Sequence, residues 1–348
     1  MQLRGKNIAP LRSQWCRLYD AARRFRAAKP WKLLRDTDLV AVTDPSTGAE
    51  LYCSITGTAE TECGLLAFRG SRGLSCCLDM FYDLVDQRSF RYRLDCLSLS
   101  FVNKPNLYKQ DVAIVREIGV QCRGKRAWPL FRAHLPGRVP WYLSAYEAAV
   151  LTVCIEQVLA YLEDEGGSLV LEAPDGRIAI PRRYQHVGPQ GIEWLTDLME
   201  LDPPDDDVIA PLEFDDVTKA RLACALTEPG QSWDIAVVDL PMPVTEETPP
   251  YYPLLPVVID SATGIVIKTD VVARTPDELH VACREIVCAA LNCERMPETM
   301  RTCDPRLLEV LDSLEEYADT RLCLVESLPH VDELCDALDG FAASNSRG

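Results

Sequence analysis

Trp233-Asp234-Ile235-Ala236-Val237-Val238-Asp239-Leu240 is the stretch on which the fold of this 348-residue chain turns. The run is apolar, rich in β-branched residues and too short for a helix, so it reads as a buried strand. Two further strands follow it, Leu254–Asp260 and Ile265–Val272. Beyond them helices and strands alternate, with Glu298–Cys303 and Arg321–Glu326 as the strands. Thr275-Pro276-Asp277-Glu278 offers an N-cap, a proline at the first helical position and a capping glutamate. Leu279, Ala282, Ile286 and Ala290 form the apolar face of that helix. Asp304-Pro305 repeats the device ahead of Leu307, Leu311 and Leu314, and a helix over His330–Phe341 closes the chain. The order is βββ-α-β-α-β-α, which predicts an α+β protein whose second domain is a mixed sheet.

Working outward, residues 1–184 read as a first α+β domain and 190–348 as the second, with the boundary near Gln185–Gln190. Leu11, Trp15, Leu18, Ala22 and Phe25 recur at helical spacing, with Arg12, Arg23, Arg24, Arg26 and Lys29 on the other faces and Pro30 as the stop. Strands are expected at Leu39–Thr43, Ala49–Ile55, Gly64–Phe68 and Arg91–Val102, and helices at Ser71–Val85 and Pro105–Ile118. Ser144 and Glu147 form a capping box for a helix from Ala145 to Glu163, ended by Gly166-Gly167. A hairpin is expected across Pro174-Asp175-Gly176, between Leu169–Glu172 and Arg177–Ile180. Trp194–Met199 is apolar enough for a strand, and the acidic, proline-rich run from Asp202 to Asp207 reads as a surface loop.

Composition narrows the class. A hydrophobic fraction of 47% and a charged fraction of 26% are those of an ordinary globular protein. No apolar run approaches the ~18–20 residues of a membrane span, and Met1–Lys6 lacks the core of a signal peptide, so a cytoplasmic location without a membrane partner is expected. The fifteen cysteines contain no C-x-x-C. Cys283, Cys288 and Cys293 step by five and point in different directions on a helix, so they cannot share a metal. With only four histidines, the thiols read as free and no metal site is expected. The net charge of −17 is uneven. Residues 1–145 carry 23 Lys and Arg against 13 Asp and Glu, and the remainder 13 against 40. The basic part suits an anionic partner or simply attracts the acidic part, and the acidic part repels nucleic acid.

Three features bear on chemistry. Asp260-Ser261-Ala262-Thr263-Gly264 joins two apolar strands as D-x-x-T-G, and Asp44-Pro45-Ser46-Thr47-Gly48 does the same upstream. The repetition points to turn chemistry, with Asp accepting hydrogen bonds and Gly supplying positive φ. The segment Phe68-Arg69-Gly70-Ser71-Arg72-Gly73 is a strand-to-helix turn, which could alternatively cradle an anion with help from Arg69 and Arg72. From Arg123 to Tyr142, basic and aromatic residues interleave without evident regular structure: Arg123, Lys125, Arg126, Trp128, Arg138 and Trp141. Such a loop plugs a core, binds a peptide or stacks single-stranded nucleic acid. No G-x-S-x-G and no recognisable hydrolase triad is present.

The βββαβαβα order resembles the ribonuclease H-like fold, whose nucleases clamp two divalent metals with carboxylates. That resemblance implies Asp239 on the first strand, Glu278 or Glu285 on the first helix, Asp304 after the fourth strand and Asp336 on the last helix, with Mg²⁺ or Mn²⁺ as cofactor. Residues 10–183 also resemble an uncharacterised prokaryotic domain family, through Pro30-Trp31, the D-x-x-T-G hairpin, Phe68-Arg69-Gly70, Trp128-Pro129-x-Phe131 and Pro136-Gly137…Pro140-Trp141. Residues 190–345 resemble a second such family, through Trp233, the strand Pro256–Asp260 and Leu328-Pro329. The resemblance implies two tandem domains with no assigned activity. The leading expectation is a non-enzymatic protein- or peptide-binding protein without a cofactor, acting through the first-domain loop together with Arg69 and Arg72. The alternatives are a metal-dependent nuclease, and nucleic-acid binding by the basic first domain.

Overall fold

The computed structural model describes residues 8–57, 62–82, 87–165, 179–189, 191–201 and 209–345. The chain divides into two compact units, Met1–Pro136 with Pro140–Asp205, and Asp206–Gly348 with Gly137–Val139.

In the first unit the elements run α1 (Arg12–Ala28), β1 (Leu39–Thr43), β2 (Glu50–Thr56), β3 (Gly64–Arg69), α2 (Gly70–Phe81), α3 (Gln87–Arg93), β4 (Cys96–Val102), α4 (Lys109–Ile118), β5 (Trp128–His134), α5 (Ala145–Glu165), β6 (Ala179–Gly188) and β7 (Gly191–Glu200). They build one seven-stranded sheet in the order β5-β4-β3-β2-β1-β6-β7. All neighbours are antiparallel except β1 and β6. Both faces are covered at the centre of the sheet, which is why β1 and β3 are buried at nearly every position rather than alternating. Val40, Val42, Cys53, Ile55, Leu65 and Leu97 meet Leu18, Phe25, Leu151 and Ile155 of α1 and α5 on one face. Leu39, Ala41, Tyr52, Phe68 and Cys96 meet Leu74 and Cys77 of α2 on the other. The helix α5 is capped as expected: the Ser144 amide donates to Glu147 Oε2 at 2.8 Å and the Glu147 amide donates to Ser144 Oγ at 3.3 Å.

Three expectations change here. Arg91–Val102 is not one strand, because α3 ends at Arg93 and β4 begins at Cys96. The stretch after Arg123 is not irregular, since Trp128–His134 is the edge strand β5, paired along its whole length with β4. The expected boundary at Gln185–Gln190 falls in the hairpin between β6 and β7, where Gly188 pairs Gly191, and the division lies at Asp205–Asp206 instead. Gly166-Gly167, the acidic loop and the expected hairpin of Leu169–Glu172 and Arg177–Ile180 lie outside the described residues, except that Ala179 and Ile180 of its second strand begin β6.

The second unit runs α6 (Asp216–Cys224), β8 (Leu226–Asp239), β9 (Leu254–Asp260), β10 (Val266–Thr269), α7 (Glu278–Cys293), β11 (Arg295–Thr302), α8 (Pro305–Leu311), β12 (Arg321–Leu324) and α9 (Pro329–Asn345). The mixed sheet has the order β10-β9-β8-β11-β12. The first three strands form an antiparallel meander, and β11 and β12 join parallel to β8. Side-chain parity along β8 sorts the faces. Trp233 and Ile235 pack with α7 and α8 through Cys283, Ile286, Leu307 and Leu311. Ala236 and Val238 face α9, with Leu255, Val257, Ile259, Leu328 and Val331. The strand β8 starts at Leu226, ahead of the expected Trp233, because Leu226, Thr227 and Glu228 already pair with β11 before the ladder is interrupted around Pro229-Gly230. The helix α7 begins at Glu278, so Thr275 is part of the preceding turn and accepts the Glu278 amide at 3.1 Å.

Candidate functional site

The end of α1 and the connection from α4 to β5 enclose a cleft of about 650 Å³ in the first unit. Arg23, Arg26 and Lys29 approach it from α1, and Arg123, Lys125 and Arg126 from the connection. Its apolar lining comes from Tyr19, Trp31, Phe101, Val120, Ala127 and Pro129, with Cys63 and Cys122 beside them. Among the described residues none of the lining side chains is an Asp or Glu. Basic residues suit the last turn of a helix, where they face unpaired carbonyls. Here they also meet three cations from elsewhere in the chain.

Local structure fixes this arrangement. Lys29, the C-cap of α1, takes the left-handed conformation at φ 52°, and Pro30 follows in a short turn that brings Trp31 down. Trp31 then joins Phe25 and Phe101, with ring centroids 6.1–6.5 Å apart. Across the cleft, Gly124 at φ 103° and Arg126 at φ 47° turn the backbone sharply. The Arg126 amide donates to Asn103 Oδ1 at 2.9 Å. Arg26 closes the wall by donating to the carbonyls of Arg126 at 3.2 Å and Lys125 at 3.4 Å. Arg123 and Lys125 remain exposed, and Arg23 is exposed while paired to Asp20 at 2.6 Å. Burial pushes the Cys122 thiol pKa up against the pull of Arg26. Burial, with the charges of Asp111 and Cys122, likewise raises the Tyr19 hydroxyl against the pull of Arg132.

The other residues expected in this site lie elsewhere. Trp128 packs against the core with Lys104 5.5 Å above its ring, and Trp141 stands edge-on to Tyr142 with centroids 5.5 Å apart. Arg69 is a structural hub: it donates to Asp95 at 2.6 Å, to Glu147 at 3.1 Å and to the His134 carbonyl. Its fork therefore ties β3 to β5 and α5 and leaves no open cradle at the Phe68–Gly73 turn, where Arg72 is exposed and carries interactions of its own. Arg138 belongs to the second unit, where it donates to the Pro249 carbonyl at 2.9 Å and approaches Glu247 at 3.6 Å. The α1 cations of the cleft escaped the sequence reading, because a basic helix face ordinarily means a solvated one.

Sequence reading also missed a buried ion pair in the unit. Arg132 donates to both carboxylate oxygens of Asp111, at 2.9 and 2.7 Å, beneath the rings of Tyr108 and Tyr142. The only sequence signal was an arginine on a strand that otherwise packs, and its partner lies on a different element.

In the second unit the acids are held by arginines. Arg274 bridges Asp239 and Glu278, the latter at 2.7 Å, and donates through Nε to the Tyr252 carbonyl at 2.7 Å. Asp304 caps α8, accepting the Arg306 amide at 3.0 Å, and pairs with that guanidinium at 2.6 Å. That hydrogen bond, and behind it the charges of Asp304 and Glu278, raise the Arg306 pKa. Glu285 pairs with Lys268 at 3.3 Å. Asp336 lies on α9, the helix covering the opposite face of the sheet from α7. Among the described residues no group of three His, Cys, Asp or Glu is placed to hold a metal ion. Asp260 serves its turn, accepting from the Thr263 amide at 2.8 Å and hydroxyl at 2.7 Å.

Residues 15–170 match the family described as Domain of unknown function (DUF7309), and residues 218–339 match Domain of unknown function (DUF6930). Two domains of unknown function stand here in tandem. No curated protein and no solved structure matches the chain. The cleft lies wholly within the DUF7309 match, and the arginine-held carboxylates Asp239, Glu278 and Asp304 lie within the DUF6930 match. The strands β6 and β7 extend the DUF7309 sheet beyond the matched residues.

Proposed function

We propose that the protein is a non-enzymatic, cytoplasmic binding protein whose first unit receives a protein or peptide partner in the cleft beside α1. One observation carries the reading: six cations from two segments ring an apolar floor that no carboxylate shares among the described residues. Like charges gathered this way repel one another, and an anionic partner relieves that cost. A reducing compartment is supported by fifteen free cysteines. Among the described residues, one helix segment, Ala145–Asp164, is long and apolar enough to cross a membrane, and it belongs to the core helix α5.

The strand order of the second unit supports a ribonuclease H-like frame. A nuclease on that frame needs its carboxylates open to metal, whereas Arg274 and Arg306 already engage Asp239, Glu278 and Asp304. We therefore read that unit as scaffold. The test is hydrogen exchange on the full chain, free and with partners captured from lysate. Protection is expected within residues 19–31 and 120–129. Protection confined to 206–348 would overturn the reading.

A further inference from the structure

We infer that the cleft takes a short acidic peptide segment, held by one large apolar side chain whose flanking carboxylates meet the arginine and lysine rim. This rests on the cleft being the partner site. The floor supplies the anchor's pocket. Trp31 is half-buried and open to the cleft, while Phe101 and Tyr19, 5% and 3% exposed, form the wall behind it. An incoming aromatic ring adds to this cluster in the edge-on or offset geometry such rings favour. A volume of about 650 Å³ sits within the ~300–1,000 Å³ of ligand pockets, room for an anchor side chain and its adjoining backbone.

The rim supplies the sign of the charge. Arg123 and Lys125 are exposed on one side, and Arg23 and Lys29 on the other. A peptide entering between them places carboxylates against cations on both flanks of its anchor. The wall stands ready without a ligand, because Arg26 ties α1 to the carbonyls of Lys125 and Arg126. Little ordering entropy is then lost on binding. Single-stranded nucleic acid fits less well. It needs a track of exposed rings for successive bases, and Trp128 and Trp141, the rings that could have extended one, do not line the cleft.

The experiment measures fluorescence anisotropy on the full chain with labelled Asp-Glu-Phe-Glu-Asp, the same peptide with Ala for Phe, and an oligothymidylate of about ten nucleotides. The Phe peptide is expected to bind, more weakly at ~0.3 M salt, and the Ala peptide about tenfold or more weaker still. Arg123→Ala with Lys125→Ala, both at exposed positions, should weaken the Phe peptide about tenfold, while Arg295→Ala with Arg321→Ala in the second unit should not. Equal binding of the Phe and Ala peptides overturns the anchor and leaves the cleft reading standing. Oligothymidylate binding tighter than the peptide, with the same rim dependence, overturns the acidic-peptide assignment, as does an absence of saturable peptide binding. Peptide binding indifferent to the rim variants overturns the proposal and the cleft reading together.

Discussion

His134, at the end of β5, is held as a neutral imidazole. Burial first, and then the charges of Arg69 and Arg132, lower its pKa from 6.5 to about 4, and Nε2 lies 3.0 Å from Ser98 Oγ. The unfolded chain binds a proton below 6.5 that the folded chain refuses until about 4. Stability from this group is therefore intact above 6.5, falls as pH drops through that window, and is lost below it, by about 3 kcal/mol in all. Urea unfolding at pH 7 and pH 5 tests this against His134→Gln, which keeps a hydrogen-bonding amide. The native chain should lose about 2 kcal/mol more than the variant between those pH values. Equal losses would show that the imidazole is not held neutral. The sequence disclosed His134 only as a histidine lacking metal-ligand neighbours. The two arginines that set its charge state are far along the chain or two residues away on a strand, and neither proximity follows from composition.

Elements were legible where the hydrophobic pattern and local hydrogen bonds agree. The strand β1 falls on its expected residues, and the α5 cap forms as its four-residue signature requires. The strand β5 was illegible for a physical reason: it carries Pro129 and Arg132, both discouraging in a strand. Proline is tolerated because β5 is an edge. Arginine is tolerated because Asp111 arrives from α4 to pair with it. The twin D-x-x-T-G turns show how one local signature acquires two energies. Asp44 is 4% exposed and accepts from Ser46, Thr47 and the Tyr146 hydroxyl, the last at 2.6 Å. Burial pushes its pKa up, and those bonds outweigh that and leave it below the usual value. Asp260 makes only the turn's own bonds and one at 3.4 Å from Gln231. Asp44→Ala should cost roughly 2–3 kcal/mol and Asp260→Ala about 1 kcal/mol by urea denaturation. The reverse order would mean that the Tyr146 bond contributes nothing.

At the scale of the whole chain, the observed division redraws the charge map. The first unit carries 25 Lys and Arg against 25 Asp and Glu, and the second, which includes Arg138, carries 11 against 28. The basic excess read from the first 145 residues is therefore local to part of the first unit, cancelled by acids on α5, β6–β7 and beyond. This favours a cationic cleft over a domain-wide nucleic-acid footprint. The sequence placed the boundary inside the β6–β7 hairpin, because Gly188-Pro189 reads as a break and β7 is too polar and exposed to announce itself as part of the sheet. Pairing along ten residues on each strand makes β7 integral to the first unit. A fragment ending at Asp205 should accordingly unfold cooperatively in urea. A fragment ending at Gln185 loses all of β7 and the end of β6, exposing the strand that pairs with β1 as a raw edge. It should lose several kcal/mol, on the order of a third or more of a ~10 kcal/mol domain, and aggregate at lower concentration. Equal midpoints for the two fragments would show that β7 is dispensable and that the first unit ends at β6.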